Sequence, residues 1–371
     1  MKILLVSPLP PTLGGISVFA RNLTDYLASN PCGVKVIFCN TADKLRSVVN
    51  KSLLLRLVTG SIVSIRIYLK FIKIIRNEIP QLVHLSSSAS LSLIRDNLIL
   101  SFANRSKIPV ITHWHFGRIP EIASRQNWEW KLLCSAIKKS RCSIVIDNKS
   151  YNTLIASGFS NVLCLPIPLG PDFEKKTKKT INKENQNSRG KVIFVGHIIR
   201  AKGIFELVNA CSNIHEINEL ILIGPYKKKI KSKIFKTVAR KSNSEWLKFT
   251  GALNRDRLID IMLTSGILAL PSYTEGFPNV ILEAMATGCC VVATDVGAIP
   301  DMLAIGENSP CGICVPVQDT KKLEKAISYL INNPESAEMM GANGMKRIKD
   351  NYTSEIVISQ YLSVWSKYAN T

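Results

Sequence analysis

Glu275 and Glu283, with seven residues between them, are the carboxylates in this chain whose placement suggests chemistry. They lie in Pro271-Ser-Tyr-Thr-Glu-Gly-Phe-Pro-Asn-Val-Ile-Leu-Glu-Ala-Met-Ala-Thr-Gly288, between the apolar runs Ile267–Leu270 and Cys290–Thr294. Two acceptor-only groups suit a polyol and a nucleotide ribose. The backbone N–H groups of Gly276, Phe277, Asn279 and Val280 open a helix, so they can face an anion. A plainer alternative has Glu275 capping that helix and Glu283 meeting a core arginine, since perturbed carboxylates are also structural.

Cations occupy a second loop. Gly196-His-Ile-Ile-Arg-Ala-Lys-Gly203 joins an apolar run to a helix and places Arg200 and Lys202 at the end of a strand. Such a pair can neutralise a diphosphate leaving group. Near the N-terminus, Gly14-Gly15 stands immediately before a helix without the G-x-G-x-x-G or Walker spacing, so a tight turn accounts for it equally. Ile111-Thr-His-Trp-His-Phe-Gly117 brings His113 and His115 to a strand end. They are expected on opposite faces, one toward a substrate hydroxyl and the other in the core. His84 is expected to be a satisfied structural histidine. Neither a metal nor a cofactor is expected. No Asp-x-Asp occurs, Cys311-Gly-Ile-Cys314 has redox or half-zinc spacing but no second pair or His partner follows it, and no G-x-S-x-G offers an acyl nucleophile.

The elements that position these residues alternate in type. Apolar runs at Lys2–Ser7, Val34–Phe38, Leu82–Leu85, Val110–Thr112, Ser143–Ile146 and Val162–Leu165 are separated by helical stretches, the first at Ile16–Ala28. This predicts an α/β fold with a parallel sheet covered on both faces. Pro166–Arg189, rich in Pro, Lys, Asn and Gln, reads as a linker region. A second alternation runs from Lys191, with strands at Val192–Val195, Leu220–Ile223 and Leu247–Thr250 and helices at Ile204–Cys211, Ile230–Arg240 and Arg255–Ser265. After the glutamate unit come helices at Lys321–Asn332, Ala337–Lys349 and Ser354–Tyr368. The expected organisation is a domain at 1–170, a linker at 171–189 and a second domain at 190–353. The two parallel-sheet halves would face each other across a cleft.

Charge and apolar pattern narrow the partners. A net charge of +21 on 371 residues favours anionic ones: nucleotides, nucleic acid or a membrane surface. Lys227-Lys-Lys-Ile-Lys-Ser-Lys233 has no interleaved aromatics and reads as a solvated helix end, so no nucleic-acid site is expected. Between Ser52 and Ile75, Arg66, Lys70 and Lys73 share one helical face, and Ile67, Leu69, Phe71, Ile72, Ile74 and Ile75 cover much of the rest. That fits a helix lying on an anionic membrane, or an ordinary helix with a solvated basic stripe. Charges interrupt it too often for it to span a bilayer. Met1-Lys-Ile-Leu-Leu-Val6 is too short for a signal peptide, and the ten cysteines, Cys311-Gly-Ile-Cys314 included, are read as reduced structural thiols of a cytoplasmic protein.

Together these motifs resemble one family. Pro271-Ser-Tyr-x-Glu-Gly-Phe-Pro-Asn-Val-x-Leu-Glu-Ala-Met-Ala-x-Gly288, followed by Val-Val-Ala-Thr-Asp-Val-Gly-x-Ile-Pro300, resembles the donor-site signature of retaining GT-B glycosyltransferases of the family-4 kind. The Gly14-Gly15 loop, His115-Phe-Gly117 and Gly196–Gly203 extend the likeness over nearly the whole chain. The resemblance implies two Rossmann-like domains, with the final helix, 354–371, crossing back onto the first. It implies that Glu275 contacts the transferred sugar and Glu283 the nucleotide ribose. Arg200 and Lys202 would hold the diphosphate, with Gly14 and Gly15 closing over it. His115 would lie near the sugar and acceptor, and the backbone at Gly251 and Ala252 would flank the base. The donor would be a UDP- or GDP-sugar and the acceptor a saccharide or lipid-linked saccharide. Bacterial surface polysaccharide assembly (O-antigen, lipopolysaccharide, capsule or exopolysaccharide), at the inner face of the cytoplasmic membrane, would be the setting. The family's usual arginine after the strand glycine is His197 here, so either Arg200 replaces it or Lys202 acts with less help. The common Asn-Gly-Val-Asp of the hinge is Pro168-Leu-Gly-Pro-Asp172. A nucleotide-sugar epimerase and a non-catalytic binding protein are the alternatives on the same scaffold.

Overall fold

The computed structural model describes residues 1–10, 14–42, 53–180, 190–238 and 245–369. They divide into two units, Met1–Pro168 with Ser354–Thr371 and Leu169–Thr353. The first contains strands β1 (Lys2–Ser7), β2 (Lys35–Asn40), β3 (Leu82–Ser87), β4 (Val110–Trp114), β5 (Cys142–Val145) and β6 (Val162–Cys164). They form one parallel sheet in the order β2-β1-β3-β4-β5-β6. Parallel neighbours need crossover connections, and the intervening helices supply them. With both faces covered, central strands are apolar throughout, and Ile3, Leu4, Leu5 and Val6 are fully buried.

The second unit has β7 (Lys191–Val195), β8 (Glu219–Ile223), β9 (Leu247–Gly251), β10 (Ile267–Leu270), β11 (Cys290–Thr294) and β12 (Gly312–Val315). Their order is β12-β11-β10-β7-β8-β9, again all parallel. From β7 the chain builds outward through β8 and β9, then returns to lay β10 against the other side of β7. The strand order reverses there, and the loops after β7 and β10 diverge at the carboxyl ends of neighbouring strands. In open parallel sheets this is where ligands bind.

Several expectations need correction. The segment expected as a linker from 171 begins as a helix, Pro171–Thr180. Pro171 suits the first helical position, Asp172 and Glu174 complement the helix dipole, and Phe173 and Thr177 are buried on one side. Its polar composition concealed that one anchoring face; residues 181–189 lie outside the described ones. Cys311-Gly-Ile-Cys314 mostly forms β12, paired to β11, and no disulfide joins any of the ten cysteines. In the helix Leu53–Glu78, Ile67, Phe71 and Ile75 are buried with Val63 at four-residue spacing, so these apolar residues do not face outward. The outer face instead carries Val58, Ile62, Ile65 and Leu69 beside exposed Arg66, Lys70 and Lys73. Among the described residues no helix is long and apolar enough to cross a membrane.

The C-terminal helix, Ser354–Ala369, belongs to the first unit. It buries Val357, Ile358, Tyr361 and Trp365, a single stripe at helical spacing.

Candidate functional site

Glu275 and Lys202 come together at the strand reversal of the second unit. Lys202 closes a short 3₁₀ turn, Arg200–Lys202, after β7, and Glu275 lies in the loop after β10. Lys202 Nζ stands 2.5 Å from Glu275 Oε1, with the two side chains 26% and 12% exposed. The loops are stitched together beneath the pair. Tyr273 N donates to Ala201 O at 3.0 Å, and Tyr273 Oη donates to Glu206 Oε1 at 2.8 Å.

Two glycines allow this approach. Gly203 has φ +67°, and a Cβ there would stand 2.0 Å from the Pro271 carbonyl oxygen. Gly297, after β11, has φ +57° and backs the Glu275–Gly276 peptide so closely that a Cβ would meet both carbonyl oxygens within 2.5 Å. Ala298 N donates to Gly276 O at 2.8 Å, fixing that loop from behind.

The helix after the loop is Asn279–Ala286, with Pro278 as its cap and Gly288 at φ +78° just past its end. Ile281, Leu282, Ala284, Met285 and Ala286 are buried, whereas Glu283 is only partly so. Gly276 and Val280 are half-buried, and Phe277 packs its ring 6.1 Å from Tyr352. At the start of the helix Asn279 Oδ1 is buried, with no hydrogen-bond partner among the described residues. Arg200 is exposed on the turn. Gly251 ends β9 at φ +74°, where Gly224 N donates to its carbonyl at 2.8 Å, and Ala252 beyond it is exposed. These two sit at the same edge of the sheet, but two strands from β7. A cation, a carboxylate and a helix start thus lie at one sheet edge, a combination that can hold an anion and hydroxyls together.

In the first unit, Gly14 caps the helix Gly15–Ser29, and no atom of the described residues lies within 4 Å of a Cβ built on Gly14 or Gly15. That helix carries Phe19 against a histidine cluster, its ring centroid 4.9 Å from His113 and 5.2 Å from His115. His113 and His115 do not point to opposite faces. Their rings lie 3.7 Å apart, because strand residues two positions apart share a face. His84, on β3, adjoins them through a 3.3 Å contact from Nε2 to His113 Nδ1, and its Nδ1 accepts from Trp365 Nε1 at 3.0 Å. It is the satisfied histidine expected. Burial pushes His84 down to about 3 and His113 well below the ordinary range. His115 is pushed down to about 3 by burial and by His84. Both ring nitrogens of His115 are shielded, and neither has a hydrogen-bond partner among the described residues.

Reading by sequence missed Tyr273, Glu206 and Gly297 around the glutamate loop, and Tyr361 and Trp365 in the histidine cluster. Tyr273 and Gly297 carried a signal, since both stand in the motif around Glu275 and the stretch that follows it.

Two family models match the chain. "Glycosyl transferases group 1" matches residues 174–347, and "Glycosyltransferase Family 4" matches residues 13–175. Among curated relatives, an MMP alpha-(1->4)-mannosyltransferase of Mycolicibacterium hassiacum is 24% identical over 54% of this chain and 47% of its own length. A putative teichuronic acid biosynthesis glycosyltransferase of Bacillus subtilis, TuaC, is 25% identical over 61% of this chain and 56% of its own. The chain thus spans about half the length of the curated relatives it matches. Among solved structures, Anabaena HepE in complex with UDP superposes with a TM-score of 0.70 at 15% identity, covering 99% of this chain and 100% of that one.

Proposed function

Since the chain belongs to the group 1 glycosyltransferases and has their GT-B fold, we propose that it moves a hexosyl group from a nucleotide sugar to a hydroxyl acceptor, with retention at the anomeric carbon. The observation that carries this reading is the Lys202–Glu275 pair at the strand reversal, beside the start of the Asn279–Ala286 helix. In the proposed reaction the acceptor oxygen bonds to the anomeric carbon on the face from which the nucleoside diphosphate leaves. The acceptor proton passes to an oxygen of the departing phosphate. Neither glutamate forms a covalent intermediate. Glu275 holds sugar hydroxyls, Glu283 the ribose, and Arg200 and Lys202 stabilise the charge that develops on the diphosphate. His115 contacts the sugar or acceptor, Gly14 and Gly15 leave room for the phosphates, and Gly251 and Ala252 flank the base. The reaction as proposed uses no metal.

The acceptor is proposed to be a lipid-linked saccharide in surface polysaccharide assembly, on the inner face of the cytoplasmic membrane. Supporting this are the exposed Val58, Ile62, Ile65 and Leu69, the basic Arg66, Lys70 and Lys73 beside them, and exposed Leu91, Ile94 and Leu98 at the cap and in the first half of helix Ser92–Arg105. TuaC, named for teichuronic acid, supports the pathway class.

A thermal-shift panel of UDP, GDP and ADP, followed by their sugars, tests the donor. One nucleotide is expected to stabilise the protein, by about 2.7 kcal/mol at a hundredfold excess over Kd; no shift with any of them sinks the proposal. Glu283→Ala is expected to abolish transfer while the fold survives, and full activity would remove its assignment.

A further inference from the structure

The histidine cluster contains a hydrogen-bond chain whose direction is set by its ends. The Trp365 indole N–H can only donate, and it donates to His84 Nδ1 at 3.0 Å. A neutral His84 therefore carries its proton on Nε2, which faces His113 Nδ1 at 3.3 Å. His113 Nδ1 accepts, so its own proton lies on Nε2, 3.3 Å from the Tyr361 hydroxyl. That hydroxyl donates onward to the Pro166 carbonyl at 3.1 Å, which can only accept. Each link is satisfied once. Burial keeps both histidines neutral, as this pattern requires.

His115 stands outside the chain, yet its ring lies on His113 at 3.7 Å and 36° and beside Phe19 at 5.2 Å. A shielded imidazole with two unpaired nitrogens is costly unless something completes it. We infer that Tyr361 and Trp365 of the C-terminal helix are positioning residues. Through His84 and His113 they fix the ring against which His115 rests, and so set the orientation in which neutral His115 meets the substrate. The inference rests on the reading of His115 as a substrate contact. It assigns to the last helix a part in the reaction that packing alone would not.

The test uses the full chain with ¹⁵N-labelled histidine and long-range ¹H–¹⁵N spectra at pH 7. The five histidines include His197 and His215 of the second unit, which serve as internal references. The expected spectrum shows His84 and His113 neutral with the proton on Nε2; an Nδ1–H form or a cation at either overturns the chain. Tyr361→Phe keeps a ring 5.2 Å from Phe19 but removes the hydroxyl. It is expected to shift the His113 and His115 ring nitrogens and leave His197 and His215 in place. Unmoved His115 signals in this variant overturn the positioning role. Trp365→Phe is expected to release the His84 tautomer, and an unchanged His84 overturns it equally. Should either variant fail to fold, the wild-type tautomers still decide.

A final arm adds whichever of UDP-, GDP- or ADP-glucose raises the melting temperature most. Movement of the wild-type His115 signals upholds the substrate contact. If they stay still at saturation, the substrate reading fails while the hydrogen-bond chain stands on its own spectra.

Discussion

Lys202 and Glu275 neutralise each other at a place where one is proposed to hold a diphosphate and the other a sugar, so removing either charge should move nucleotide affinity in opposite directions. With the side chains 26% and 12% exposed, the pair lies between a surface bridge and a buried one. Surface pairs are worth up to about 1 kcal/mol, and breaking a buried pair costs about 3–5 kcal/mol, which brackets this one at roughly 1–3 kcal/mol. Lys202→Met also removes a charged hydrogen bond to the phosphate, worth about 1.5–3 kcal/mol. UDP or GDP should therefore bind about 10- to 150-fold more weakly. Glu275→Gln frees the lysine and removes a like charge. At roughly 7 Å and an effective dielectric of about 40, that repulsion is about 1 kcal/mol, so the bare nucleotide should bind about fivefold more tightly. The nucleotide sugar should lose that gain, because the carboxylate that accepts from the sugar is gone. Titration calorimetry of wild type, both variants and the double variant, with UDP, GDP and the corresponding sugars, measures every corner. A Lys202→Met affinity within twofold of wild type, or a Glu275→Gln protein that binds the bare nucleotide tenfold more weakly, refutes the donor clamp.

Gly203→Ala should cost the second unit about 2–4 kcal/mol, from the positive φ and the overlap with the Pro271 carbonyl together; a melting temperature within about 1 °C of wild type would show that the close approach relaxes freely. The first unit should be acid-sensitive. His84, His113 and His115 stay neutral in the fold but take up protons when unfolded, so stability is full above about pH 6.5 and is lost as pH falls from there toward 3. At pH 5 each histidine costs about 2 kcal/mol. Urea unfolding followed by tryptophan fluorescence at pH 7.5 and 5.0 measures the loss, and His84→Gln should reduce the pH slope by about one proton; an unchanged slope contradicts the neutral cluster.

Much of the fold was legible because its signals are local. Apolar runs buried on both faces, separated by helical stretches, located eleven of the twelve strands described here to within a residue or two. The twelfth, Gly312–Val315, was obscured because two cysteines and a glycine resemble a metal or redox motif more than an edge strand. The helix at Pro171–Thr180 was hidden by composition: lysine and threonine suggest a linker, and its main apolar anchor is Phe173. The error over His113 and His115 was one of periodicity. A two-residue step returns to the same side of a strand, and the structure stacks the rings accordingly.

The site was half legible for a different reason. Glu275 and Lys202 each announce themselves by type and by position after a strand, but nothing in the spacing pairs residues 73 apart. Their meeting depends on β10 being laid beside β7 rather than beyond β9, a choice made by the whole sheet. Tyr361 and Trp365 are less legible still. At helical spacing an aromatic stripe reads as core, and it is core; only the strand order that sets His84 beside His113 gives its polar ends partners. The same local pattern therefore supports two readings, and topology selects between them. Where a sequence places donors such as a tyrosine hydroxyl and an indole N–H on a buried face, the question to ask of the fold is which acceptors it brings to meet them. In this chain the indole finds His84, and the tyrosine hydroxyl, which accepts from His113, finds the Pro166 carbonyl.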